Sequence, residues 1–150
     1  MKSFWMTLLV AATPVVELRG AIPAGVASGL SVPEALIISI IGNLLPIPFI
    51  LLFTRSLFDW MKKKSHKLHK FVQKMEAKAH SKKSTIDKYE WWGLVLLVAI
   101  PFPGTGAWTG ALVAAVFDMR LKRALPAITL GVIIAGILVS YLTYGAIRLF

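Results

Sequence analysis

Apolar positions fall into four blocks, residues 4–30, 35–54, 91–117 and 124–147, separated by short polar turns and one long basic stretch. The second and fourth blocks carry no charge and have the length a bilayer core requires of a helix. They predict two membrane-spanning helices, the first kinked by Gly42, Pro46 and Pro48. Blocks one and three are 27 residues each and are interrupted near the middle by proline and glycine. Proline removes a backbone donor and clashes with the preceding turn, so neither block reads as one straight helix.

The two interrupted blocks match each other at an offset of 86. Gly20, Ala24 and Ser28 align with Gly106, Gly110 and Ala114, and Ala21, Gly25 and Gly29 with Ala107, Ala111 and Ala115. Small residues every four positions let helices approach closely in lipid. Each block is followed by a short turn and a span, which predicts a two-fold internal repeat. The bland reading is that small residues are simply common in membrane helices.

Composition agrees with a membrane-embedded chain of one domain, residues 1–150: 57% of residues are hydrophobic and the mean hydropathy is +0.71. The N-terminal apolar run follows a single lysine and lacks a small-x-small cleavage site, so it is expected to be retained. The formal charge of +10 is concentrated, with 11 of the 17 Lys and Arg in residues 55–88. A basic loop between apolar spans follows the positive-inside rule, and no recognition motif accompanies the charge, so nucleic acid is not an expected partner. Four simple crossings would put this loop and the basic turn 118–123 on opposite sides. If blocks one and three dip in and return, both basic segments share the cytoplasmic side and Ser31–Glu34 lies outside. The expected fold is therefore all-α integral membrane. Two inverted repeats, 4–54 and 91–147, each comprise a re-entrant helical hairpin and a transmembrane helix. Between them, Phe58, Met61, Ser65, Leu68, Val72, Met75 and Ala79 recur every three or four residues among lysines, predicting a basic amphipathic cytoplasmic helix on anionic lipid. Pairing of two copies along that seam is the other option. His66, His69 and His80 lie in this loop and read as solvated rather than as metal ligands.

The candidate chemistry lies at the two breaks. Thr13-Pro-Val-Val-Glu-Leu-Arg-Gly-Ala-Ile-Pro23 puts Glu17 and Arg19 into apolar surroundings, where each charge costs a few kcal/mol to insert. Such a bend is tolerated in lipid only where protein or a water-filled cavity covers it. Glu17 is the intramembrane acid a proton- or sodium-coupled transporter needs. Otherwise Glu17 and Arg19 neutralise each other and staple the bend. The counterpart, Pro101-Phe-Pro-Gly-Thr-Gly-Ala-Trp-Thr-Gly110, offers free amides, the Thr105 and Thr109 hydroxyls and the Trp108 ring. A half-helix starting there suits an anionic head group; a structural elbow is the sober alternative. Trp91 and Trp92 read as interfacial anchors. No phosphate loop, HExxH, nucleophile elbow or paired carboxylates are present, and the absence of cysteine removes disulfides and thiolate sites. No enzymatic activity, cofactor or metal is expected.

Glu17-Leu-Arg-Gly-Ala-Ile-Pro23 and Pro101-Phe-Pro-Gly-Thr-Gly-Ala107 resemble the two signature regions of the putative small multidrug export protein family, itself similar to the DedA superfamily of membrane transporters and lipid flippases. The resemblance runs from about residue 10 to the C-terminus, with the basic loop as an insert. It implies opposed re-entrant loops and proton coupling, and places Arg120 and Arg123 as the arginines following the second hairpin. The expected site comprises Glu17, Arg19, Pro23, Pro103, Gly104, Thr105, Gly106, Trp108, Thr109, Arg120 and Arg123. The expected function is ion-coupled movement of a small amphipathic solute by a multi-pass, homo-oligomeric protein of the inner (plasma) membrane. Flipping of a lipid phosphate carrier, such as undecaprenyl phosphate, is the alternative. A third class is a membrane scaffold whose basic loop contacts partners.

Overall fold

The computed structural model describes residues 1–81 and 83–145, with the side chains of all of these except 72, 75, 76, 78–81 and 83–88. Among the described residues the chain is helical and contains no strand. The helices are α1 (Lys2–Ala12), α2 (Glu17–Ala27), α3 (Val32–Leu44), α4 (Ile47–Lys64), α5 (His66–Ser81), α6 (Lys83–Ala99), α7 (Ala107–Val116) and α8 (Leu121–Ser140), the last running into a π-helical turn at Tyr141–Gly145.

The breaks follow from local chemistry. Pro14 disfavours helix at the residue before it, and Thr13 is extended, φ −75° and ψ 141°. Val15 and Glu17 have left-handed φ values of 76° and 49°. For a β-branched residue that conformation is strained by about 1–2 kcal/mol. Ser31 opens α3 with a reciprocal capping box: its hydroxyl accepts from the Glu34 amide while the Glu34 carboxylate accepts from the Ser31 amide. Pro46 and Pro48 occupy the cap and first turn of α4, where a missing N–H costs nothing. The kink expected in the second block therefore falls between Leu44 and Ile47.

Two triplets of helices build the molecule. In the first, Ser3 Oγ donates to the Ser28 carbonyl at 2.8 Å and Gly25 faces Thr7, so α1 and α2 run antiparallel. Gly25 also faces Ala35, and Gly42 lies against the Leu8 carbonyl and Ala11, which sets α3 antiparallel to α2 and alongside α1. In the second triplet glycines again sit at helix crossings. Gly110 of α7 packs on Val98 and Leu94 of α6, and Gly131 of α8 packs on Val98 and the Val95 carbonyl. In each triplet a glycine brings the first and third helices to backbone contact. Ala21, Gly25, Ala107, Ala111 and Ala115 are buried, whereas Gly29 is exposed and ends the small-residue ridge early.

Leu18, Ile22, Ile47, Leu51, Val98, Ile128 and Val132 fill the core between the triplets. Gly136 of α8 meets Leu36 and Ile40 of α3 there. Among the described residues two helical stretches are long and apolar enough to cross a membrane, Val32–Lys64 (α3 continued by α4) and Leu121–Gly145, with peak mean hydropathies of 2.4 and 2.2. They correspond to the second and fourth apolar blocks.

The basic segment is helical, but it is not one helix. The chain turns at Ser65, φ −147° and ψ 136°, which divides the expected stripe between α4 and α5. Phe58, Met61, Ser65 and Leu68 are half-buried; Val72, Met75 and Ala79, with His80, lie outside the described side chains. His66 is exposed, and among the described residues no group of side chains could hold a metal ion. Arg55 at the start of the basic segment donates to the Met119 carbonyl and lies 3.9 Å from the Asp118 carboxylate. The two basic segments of the sequence thus meet at one end of the molecule.

Candidate functional site

The head of α2 meets the break between α6 and α7. Glu17, 4% exposed, reaches the N-terminus of α7, where Oε2 accepts from the Ala107 amide at 3.3 Å and Oε1 from the Trp108 amide at 3.1 Å. These amides have no partner inside their own helix, and the helix dipole favours a negative charge on them. Gly106, the N-cap, has φ 133°, and a Cβ there would overlap the Glu17 carboxylate and lie 2.7 Å from its Cδ. Glycine is thus required twice, for the backbone angle and for the approach of the acid.

Arg19, half a turn further along α2, takes the opposite pole of the break. Its Nη1 donates to the Phe102 carbonyl, and its Nη2 donates to the carbonyls of Thr105 at 2.9 Å and Ile100 at 3.3 Å. Nη2 also donates to Thr105 Oγ1 at 2.9 Å. Thr105 Oγ1 accepts from the Phe102 amide at 3.2 Å as well and lies within 2.7 Å of the Ile100 and Phe102 carbonyls. Thr109 Oγ1 donates to the Gly104 carbonyl at 3.0 Å, closing the loop onto α7. Carbonyls left over where α6 ends are negative; amides left over where α7 starts are positive. One turn of α2 supplies the complementary charge to each.

Glu17 and Arg19 therefore do not staple the bend by pairing: no salt bridge joins them, and each spends its hydrogen bonds on the other triplet. Bonds to charged groups contribute about 1.5–3 kcal/mol each. Two of them offset an insertion cost of about 2.5–3.5 kcal/mol for a lone intramembrane charge. Both charges are tolerable without an ion pair.

The other expected residues divide by position. Gly104, φ 87°, and exposed Pro103 shape the loop without touching the carboxylate. Pro23 lies inside α2, where it takes the place of the donor that would otherwise meet the Arg19 carbonyl. Arg120 caps α8, and Arg123 is in its first turn. They lie at the far end of α7, ten residues or about 15 Å from its head, beside Arg55, Asp118 and Met119. The structure does not gather Arg19, Arg120 and Arg123 around one head group.

Asn43 of α3 completes the surroundings and was not among the expected residues. It is fully buried within reach of the Glu17 carboxylate, yet neither end of its amide closes a hydrogen bond of 3.5 Å or less. A buried polar group left so costs about 1–3 kcal/mol. Its signal in the sequence was slight: it is the one carboxamide in the uncharged block 35–54. Between α6 and α7, on the side towards Met119, lies an apolar cavity of about 390 Å³ lined by Leu94, Leu97, Val113, Ala114 and Phe117.

Compared with known families, residues 17–138 match the one described as putative small multi-drug export protein. The matched span starts at Glu17, where α2 leaves the first break, and includes the second break entirely. No curated protein and no solved structure matches the chain.

Proposed function

The chain belongs to the putative small multi-drug export protein family, and from that premise we propose that it carries a small amphipathic solute across the membrane, coupled to a proton held by Glu17. The observation that carries this reading is the buried carboxylate of Glu17 on the amides of Ala107 and Trp108. A carboxylate held there by donors alone is released when it is protonated, because the neutral acid loses most of its attraction to the helix end. A transporter needs such a group, whose proton affinity changes with the arrangement of the helices around it. The apolar cavity beside α7 offers a volume for the greasy part of a solute.

In this reading the two triplets are inverted repeats, α1–α2 and α6–α7 being hairpins that enter from opposite faces of the inner membrane and meet at the site. The shared end of Arg55 and Asp118 supports a common, cytoplasmic side for both basic segments.

Reconstituted protein tests the coupling. Glu17→Gln keeps the shape and a hydrogen-bond acceptor but cannot titrate, so it should fold and lose gradient-driven uptake of a zwitterionic dye that carries a carboxylate. Dye transport that still follows an imposed pH gradient in Glu17→Gln would remove Glu17 from the mechanism.

A further inference from the structure

Two sets of hydrogen-bonding groups surround Glu17, and only one of them closes short bonds to it. The amides of Ala107 and Trp108 are filled. Asn43, fully buried within reach of the Glu17 carboxylate, closes no hydrogen bond of 3.5 Å or less through either its amide hydrogens or its carbonyl oxygen. The chemistry of the two sets differs. Backbone amides only donate, so they suit a carboxylate, which only accepts. A carboxamide donates and accepts at once, so it is complementary to a neutral carboxylic acid, whose O–H goes to Asn43 Oδ1 while its carbonyl accepts from Nδ2. A carboxylate could fill only half of that arrangement.

Building on the proton coupling of Glu17 proposed above, we propose that Asn43 is the seat of the protonated Glu17 side chain, and that its move there frees the head of α7 to bind an oxyanion group, carboxylate or phosphate, of the transported solute. One proton enters as the anion binds; when the proton leaves, the Glu17 carboxylate returns to the amides and displaces it. Trp108 adds a further donor to that turn, since its indole N–H is buried without a partner. The charged side chain facing Glu17 is Arg19, from its own helix. From α3 it faces Asn43, and from α7 only backbone amides. On α1 and α8 the described ionisable side chains, Lys2, Lys122 and Arg123, sit at helix ends remote from it, and Glu90 stands midway along α6, nine residues before its end at Ala99. Arg19 stays on the carbonyls of Ile100, Phe102 and Thr105 in both states and keeps a positive field at the vacated amides.

The test is binding of benzenesulfonate, whose own charge is constant between pH 5 and 8, to the full chain in lipid nanodiscs. Affinity should rise about tenfold per unit fall in pH over the range where Glu17 is ionised, with one proton taken up per anion. Glu17→Gln should bind with no pH dependence, and Asn43→Leu should flatten the slope. Displacement by octanoate or by octyl phosphate then identifies the head group, and displacement by neither overturns the proposal. A wild-type slope of zero, or an unchanged slope in Asn43→Leu, also overturns it, and does so even if Glu17→Gln has lost gradient-driven transport. Should Asn43→Leu not fold, infrared spectra of the wild type at low pH decide. The acid carbonyl band that Glu17→Gln removes must lie at the doubly hydrogen-bonded position, and a free-acid position refutes the seat on Asn43.

Discussion

Gly106 leaves no space between the head of α7 and Glu17, so a single methyl group there separates the two triplets. Gly106→Ala should lower the unfolding midpoint and abolish transport, because the new Cβ occupies the place of the carboxylate. Gly104→Ala is the control. Its φ of 87° makes alanine strained by about 1–2 kcal/mol, but open space surrounds it, so the melt should shift while transport survives. The separate partners of Glu17 and Arg19 make a second forecast. In a double-mutant cycle with Glu17→Gln and Arg19→Gln, the coupling should not exceed about 3 kcal/mol, the upper end for neighbours that feel each other's field without a bond between them. A stabilising interaction well above that value would restore the staple. That the acid and the cation matter was readable from their cost in an apolar run. Their division between two helix ends was not, because the partners lie 81 to 91 residues away and are mostly backbone atoms. Asn43 escaped for the same reason, its meaning depending entirely on what α2 places beside it.

Helices pack here through glycines at defined contacts. Gly42→Leu and Gly110→Leu should prevent folded protein from accumulating, since their side chains would enter the Leu8 carbonyl and Val98 respectively. Gly93→Leu should be tolerated, having nothing within 4 Å. Comparing monodisperse yields after detergent extraction checks all three. At the head of α3, Ser31→Ala removes one arm of the capping box and should cost about 1 kcal/mol in thermal unfolding. Proline and glycine made the breaks at 13–16, 44–46 and 100–106 legible, because they act on the backbone without regard to surroundings. The turn at Ser65 was not legible. A periodic apolar stripe runs through it, and neither Gly nor Pro marks the place.

For the molecule as a whole, the proposed topology puts Lys67 and Lys122, both exposed, on one side and exposed Pro33 on the other. Single cysteines at these positions report cleanly because the chain has no native thiol. Cysteines at 67 and 122 should react with a membrane-impermeant maleimide only from the cytoplasmic side, and one at 33 only from outside. Opposite labelling of 67 and 122 would break the inverted-repeat arrangement. Offset small residues suggested two copies of one plan; the glycine crossings on Leu8 and Val95 are the close contacts within each triplet, and Gly42 and Gly131 do not correspond at that offset.

Because one turn of α2 satisfies both ends of the α6–α7 break, the two halves of the molecule recognise each other without help from the segment that connects them. Gly136 against Leu36 and Ile40, and Arg55 against Met119, add contacts of the same kind. Covalent continuity at Ser65 is then dispensable. A gene severed at that codon, its fragments 1–64 and 65–150 produced together, should yield a complex that co-purifies through a tag on either piece. Arg19→Ala in the first fragment should weaken their reunion more than any change at an exposed lysine of α5.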